Sequence, residues 1–236
     1  MVIDSFEIKI DTSSCGTIIT AHDPLLNDTW YYSDLSFESG KIYGLVSEYG
    51  QGCEFLSYLL GGRVTFDNVK IIFNGDLISQ NDLSEMSWNL EAYGESYGNK
   101  IVRKSIEKAL KNTPNSMEFQ DLAERFVLTP ERYDRKFNHL SGERWRAAAA
   151  FGYAQNKRIY FSPYETSNFY YHMCGSSLLK CLRELTDNGA LIVLPSSNDT
   201  FIKHIVDEVI YLDRDYDIDA LQSFYSKQWN AANWIK

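Results

Sequence analysis

The chain has no basic stripe. Its 236 residues carry 32 acidic and 23 basic side chains, a net charge of −9. Nucleic acid as a principal ligand needs clustered positive charge, so this balance argues against it. Long apolar runs are also missing, and no segment reaches the roughly 18–20 apolar residues of a membrane-spanning helix. The opening segment, MVIDSFEIKIDTSS, has acids where a signal peptide has a basic start followed by an apolar run. Cysteine is sparse: Cys15, Cys53, Cys174 and Cys181 form no C-x-x-C pair. That argues against a zinc site or a disulfide framework and suits a reducing compartment. The four histidines do not cluster at ligand spacing, so no metal site is expected. Together these absences predict a cytosolic, soluble chain with no membrane span, any contact with a membrane going through partner proteins.

What is present suits one globular unit, or a core with a small insertion. Of the residues, 44% are hydrophobic and 14% aromatic, enough to bury a core without staples. Tyr49, Tyr93, Tyr97, Tyr164 and Tyr170 lie in polar stretches. They read as edge packing or as a protein-facing surface, where tyrosine is favoured.

Periodicity divides the chain. The first third is β-rich, with strands expected at residues 6–10, 16–20, 30–37, 42–46, 63–66 and 69–73, and Asn27-Asp28 as a turn. The middle carries helical stripes at 101–111 and 119–126, and Thr129-Pro130 reads as a cap followed by a first-turn proline. This block reads as a helical subdomain, approximately 82–155, inside a single unit covering 1–236. Strands and helices then alternate. Helices are expected at 141–154, 176–185, 201–206 and 220–225, and strands at 158–162, 190–194 and 209–212. This is an α/β pattern. The uninterrupted apolar run at 190–194 suits a covered parallel strand, and Asn188-Gly189 reads as a helix stop.

Residues 40–62, GKIYGLVSEYGQGCEFLSYLLGG, place an apolar strand before a glycine-bearing turn and an apolar helix after it. That is the setting of a phosphate-binding loop, G-x-x-x-x-G-K-[ST]. The slots hold Ser47, then Gly50 and Gln51 within the loop, then Gly52, Cys53 and Glu54. The lysine that would contact β- and γ-phosphates is a cysteine, and the magnesium-binding hydroxyl is a carboxylate. At about 4 Å and an effective dielectric near 20, Glu54 would repel a phosphate charge by roughly 4 kcal/mol. Backbone N–H groups at Gly50 to Gly52 could still form an anion nest. ATP binding there is expected to be weak or absent.

Other segments follow in a telling order. Leu140-Ser141-Gly142-Glu143-Arg144-Trp145-Arg146 resembles an LSGGQ-x-x-R signature. Residues 163–170, PYETSNFY, align with D-E-P-T-S-x-L-D. Residues 191–199, LIVLPSSND, resemble a strand and switch-histidine loop, and 206–212, VDEVIYL, resemble A-D-R-V-I-V-L. In this order, over roughly residues 16–212, the chain resembles the nucleotide-binding domain of ATP-binding-cassette (ABC) transporters.

The resemblance implies a P-loop NTPase-like fold: a mixed β-subdomain and a parallel-sheet core with an inserted α-helical subdomain. It puts Pro163 in the magnesium-linked aspartate slot, Tyr164 in the catalytic glutamate slot, Tyr170 in the D-loop aspartate slot and Ser197 or Asn198 in the switch-histidine slot. Gln80 stands as the Q-loop residue. A one-residue shift would make Glu165 the base. Ser141, Gly142 and Glu143 would serve a partner's ATP, since in this family the signature reaches across a dimer. The implied reading is a catalytically degenerate subunit pairing with a competent one and with permease subunits, with ATP and Mg at the partner's site. An active but unorthodox ATPase using Glu165 and a non-transport scaffold stand as alternatives. Two bland readings compete: Ser141 as a plain helix N-cap, and Cys53 as a small buried hydrophobe.

Overall fold

A computed structural model describes residues 5–11, 19–23, 26–30, 35–48, 52–64, 69–113, 117–173 and 176–212. Gly50, Gln51, Tyr49, Cys15, Cys174 and the helix expected at 220–225 lie outside them.

The chain begins with β1 (Glu7–Asp11), β2 (Ile19–Asp23), β3 (Leu26–Trp30) and β4 (Leu35–Glu38), and continues with β5 (Ile42–Val46) and α1 (Cys53–Leu60). Next come β6 (Lys70–Phe73), β7 (Asp76–Leu77), α2 (Gln80–Met86) and β8 (Ser87–Asn89). Helices α3 (Val102–Asn112), α4 (Phe119–Arg125) and α5 (Arg144–Ala154) follow, then β9 (Ile159–Phe161), α6 (Ser167–Met173), α7 (Ser176–Asp187), β10 (Leu191–Ser196) and β11 (Glu208–Tyr211).

Two sheets set the layers. One is antiparallel, in the order β4-β1-β6-β7; the other is parallel, in the order β11-β5-β10-β9-β8. A separate hairpin pairs β2 with β3. Asn27 and Asp28 sit inside β3, opposite His22 and Ala21, so they are strand residues rather than the turn expected there. A polar pair is a turn signal only when no partner strand claims its backbone.

The parallel sheet separates two cores, and the period of two along its strands decides which residue joins which. Tyr43, Leu45, Leu191, Val193 and Ile159 face α1 and the antiparallel sheet. Ile42, Val46, Ile192, Leu194 and Tyr160 face α3, α4, α5 and α7. Each fully buried Leu or Ile contributes roughly 1.5–3 kcal/mol, so both faces hold their layers firmly. Helix α5 lies close against the sheet: Ala147 to Ala150 are all buried, and a Cβ on Gly152 would come within 2.7 Å of the Tyr160 ring and 2.8 Å of Trp88. The alanine run is close packing, as a run of small residues permits.

The helical insertion is expected to begin near residue 82. Residue 82 lies inside α2, and the strand that follows, β8, pairs in parallel with β9 at the sheet edge. The chain leaves the sheet after Asn89, because backbone pairing there outweighs the polar character of the segment.

Candidate functional site

The carboxyl ends of β5, β10 and β9 lie together, as expected for a ligand site in an open parallel sheet. Ser47, just beyond β5, donates its N–H to the Ser196 carbonyl at 3.3 Å. Gly52 opens α1 with φ of 101°, a left-handed conformation that glycine adopts without strain. Cys53 is 1% exposed and packs in the α1 core, so it is a buried hydrophobe in a lysine's position. Glu54 turns to the neighbouring strand end, where its Oε1 accepts the Tyr164 N–H at 3.3 Å. The position expected to carry the magnesium hydroxyl is thus joined by a hydrogen bond to the one expected to carry the catalytic glutamate.

The segment after β9 is stitched to the segment after β10. Glu165 pairs with Ser196 in an isolated parallel bridge, and its carbonyl accepts the Ser197 N–H at 3.2 Å. The Ser197 hydroxyl accepts the Ser167 N–H at 3.0 Å, and the Ser167 hydroxyl accepts the Phe201 N–H at 3.2 Å. Tyr170 is 1% exposed and donates its phenol to the Pro195 carbonyl at 2.7 Å. Ser197 and Tyr170, in the switch and D-loop slots, therefore brace the backbone. Tyr97 is also buried and donates to the Asn89 carbonyl at 2.7 Å. Of the tyrosines read as a protein-facing set, Tyr93 is 57% exposed.

The electrostatics are acidic. The half-buried Glu165 carboxyl is pushed up to about 7, first by burial and then by the charge of Glu91, with Arg144 opposing and Glu54 adding. Among the described residues no hydrogen bond or ion pair holds that carboxylate. Burial, Cys53 and nearby glutamates likewise push the Tyr164 phenol up, against a hydrogen bond from Ser197.

Glu91 was not singled out in the sequence, yet it stands two residues beyond the edge strand β8 and ties the core to the insertion. Arg144, at the start of α5, approaches it with Nε at 2.6 Å and donates an N–H at 2.8 Å. The Trp145 indole N–H donates at 3.3 Å and the Tyr93 N–H at 2.9 Å. The Arg144 guanidinium also lies over the Tyr93 ring, 4.1 Å from its centre. Gln80, expected as the Q-loop residue, is the exposed first residue of α2. The register of β8 would have pointed to Glu91, but a three-residue strand has too short a period to announce itself.

The 140–146 segment divides sharply. Ser141 and Gly142 are exposed, nothing lies within 4 Å of a Cβ on Gly142, and Ser141 has φ of 42°. A non-glycine residue at positive φ stores strain of order 1–3 kcal/mol. The Ser141 hydroxyl makes no hydrogen bond among the described residues. It does not cap α5, which begins at Arg144 with Glu143 as its cap residue. Glu143, expected to serve a partner's nucleotide, points inward instead. It is 2% exposed, its Oε1 accepts the Thr129 N–H at 2.6 Å, and its Oε2 lies 3.3 Å from Arg132 and 3.7 Å from Arg146. Its carboxylate satisfies the N–H of Thr129, which caps the helical turn at Pro130–Arg132 and has no acceptor within it.

ATP with magnesium does not fit the described residues of this chain's own loop. A buried thiol stands in the slot expected for the ammonium, Pro163 and Tyr164 stand in those expected for the magnesium-linked aspartate and the catalytic glutamate, and Glu54 and Glu165 add negative charge nearby. Among the described residues no group of three or more His, Cys, Asp or Glu side chains could hold a metal ion, and no helix is long and apolar enough to cross a membrane.

No family model and no curated protein matches the sequence. Solved structures do match. A nucleotide-free ATP-binding cassette from an ABC transporter aligns with a TM-score of 0.61 at 11% identity, over 88% of this chain and 87% of that one. A dimeric ATP-binding cassette in a post-hydrolysis state with ADP and phosphate gives 0.63 at 13%, over 87% and 94%. CbiO1 of Clostridium perfringens, part of the ABC transporter complex cbiONQ, gives 0.61 at 14%, over 87% and 84%. At such identities the likeness is one of architecture, and it agrees with the layers and strand order above: the chain has the fold of an ATP-binding-cassette nucleotide-binding domain.

Proposed function

We propose that this chain is a nucleotide-binding subunit of an ABC transporter that has lost hydrolysis at its own loop and lends Ser141 and Gly142 to the ATP site of a competent partner subunit. The observation that carries the reading is a contrast within one molecule. The residues that would hold this chain's own nucleotide are buried, acidic or engaged in bracing, whereas Ser141 is exposed, strained and free to accept or donate. Strain at an exposed polar residue is a hint of function. In this reading ATP and Mg bind at the partner's loop, permease subunits complete the complex, and the chain sits at the cytoplasmic face of the membrane through them. One structural neighbour is a dimer with ADP and phosphate and another is part of a transporter complex, which supports an assembly of this kind. The degenerate slots support an asymmetric one.

One observation favours a second reading. A carboxyl titrating near 7 is a usable general base, so Glu165 could drive an unorthodox ATPase. The test is magnesium-dependent ATP turnover by the purified chain alone and in complex with its partner. The asymmetric reading expects none alone, and in the complex a roughly 100-fold loss on Ser141→Arg, the size seen when a transition-state donor is removed. Turnover by the chain alone that disappears in Glu165→Gln would establish the second reading. An unchanged complex with Ser141→Arg would remove the cross-dimer role.

A further inference from the structure

A cavity of about 480 Å³ opens between α3 and the C-terminal end of α5, away from the strand-end site. Its size falls within the range of small-molecule sites, roughly 300–1,000 Å³. Lys100, Lys108 and Lys157 line it, over a floor that includes Ala109 and Phe151. In a chain of net charge −9, three lysines converging on one concavity is a local reversal of sign.

None of the three is paired with a carboxylate among the described residues, whereas Lys9, Lys41 and Lys203 each are. Lys157 is the most constrained: its ammonium donates to the Glu85 carbonyl and lies over the Trp88 ring. Burial lowers its pKa, with Glu85 opposing, so an anion nearby would relieve a real desolvation cost.

The simplest competing account is that these lysines neutralise helix ends. Helix α3 ends at Asn112 and α5 at Ala154, both against the cavity. Each C-terminus presents about half a negative charge. Three ammonium groups exceed that by about two positive charges, and with Glu85 beside Lys157 counted against them about one remains at the cavity. The floor is also fixed in shape: the Phe151 ring stacks on Phe137 at 5.4 Å and meets Trp88 and Tyr97 edge-on at 5.1 and 5.8 Å. A ligand would meet a rigid apolar base under a cationic rim, an arrangement that binds without a large ordering penalty.

We infer that the cavity between α3 and the end of α5 is a binding site for a small organic anion carrying two or more carboxylate or phosphate groups. The site shares no lining residue with the strand-end cluster or with Ser141 and Gly142, so it stands or falls independently of the transporter reading.

Isothermal titration calorimetry of the full chain at low salt tests it, with citrate as the carboxylate probe and pyrophosphate as the phosphate probe. Lys100 and Lys108 are exposed, so Lys100→Gln/Lys108→Gln keeps the fold, which circular dichroism checks. Lys104, exposed on the same helix and outside the cavity lining, supplies the control Lys104→Gln. The expected result is one site per chain with submillimolar affinity for at least one probe, weakened about tenfold or more in the double variant and less than about twofold in the control, since a tenfold loss is about 1.4 kcal/mol. Preference for citrate or for pyrophosphate assigns the group the site reads. Absence of binding up to roughly 10 mM of either probe, or equal weakening in the Lys104→Gln control, overturns the inference.

Discussion

Four glutamates near the functional region divide into two pairs with opposite surroundings. Glu91 and Glu143 are buried and surrounded by donors: Arg144, Trp145 and a backbone N–H for the first, and Thr129, Arg132 and Arg146 for the second. Both hold α5 and the insertion against their neighbours. Glu54 and Glu165 stand near the strand ends, where the sequence leads us to expect a phosphate loop, and there the Glu165 carboxyl is raised by burial and by the other acids. The same side chain is thus a fastener where cations meet it, whereas at Glu165 burial and neighbouring acids work against its charge. Removing an acid from the first pair should cost stability, and removing Glu165 should return it.

The largest effect expected is at Glu91. Glu91→Ala strands Arg144, the Trp145 indole and the Tyr93 N–H, and should destabilise the chain by about 3–5 kcal/mol, the range for breaking a buried pair from one side. Urea unfolding measures it, and a loss below about 1 kcal/mol would show that the Glu91–Arg144 link is not a fastener. Glu143→Ala should follow at about 2 kcal/mol, chiefly by leaving the Thr129 N–H without its acceptor; hydrogen exchange should locate the loosening at residues 127–146.

The strand-end pair predicts gains. Cys53→Lys with Glu54→Ser restores the ammonium and hydroxyl of a phosphate loop and should raise ATP affinity roughly tenfold, about 1.4 kcal/mol, in an equilibrium binding assay. No change would place the defect in Pro163 and Tyr164 instead. The smallest effect is at Glu165. Its folded pKa, about 7, lies above the usual carboxyl value of 4.5, so the folded state holds a proton that the unfolded chain releases. Stability from this group is therefore lost as pH rises from about 4.5 to 7. Glu165→Gln should recover on the order of 1 kcal/mol at pH 8 and nothing below pH 4.5, after discounting for its partial exposure. A difference between variant and parent that grows towards acid pH would reverse the comparison.

Legibility from the sequence tracked the length of the signal. The strand at β5, the helix α3 and the buried strand β10 were readable because several side chains repeat the same period. Strand β8 was not readable, since three residues show no period, and with it went the boundary of the insertion and the identity of Glu91. Asn27-Asp28 looked like a turn because local chemistry favours one, yet pairing with β2 absorbed both residues. The motif slots rest on the sequence alone: Cys53, Glu54, Pro163 and Tyr164 are read there as replacements for ligands, by their alignment and residue chemistry.

By itself, the sequence determined the layered α/β architecture, the absence of a phosphate-binding lysine and the acidic balance, because hydrophobic period and residue chemistry are local properties. Only the tertiary structure decided what the remaining polar residues do. Glu143 turned inward to a backbone donor 14 positions away, Ser197 and Tyr170 became braces between loops, and Ser141 was left exposed at a strained turn. Those outcomes depend on which donors and charges the packing of distant segments brings within hydrogen-bonding reach, and burial sets the cost of leaving any of them unsatisfied.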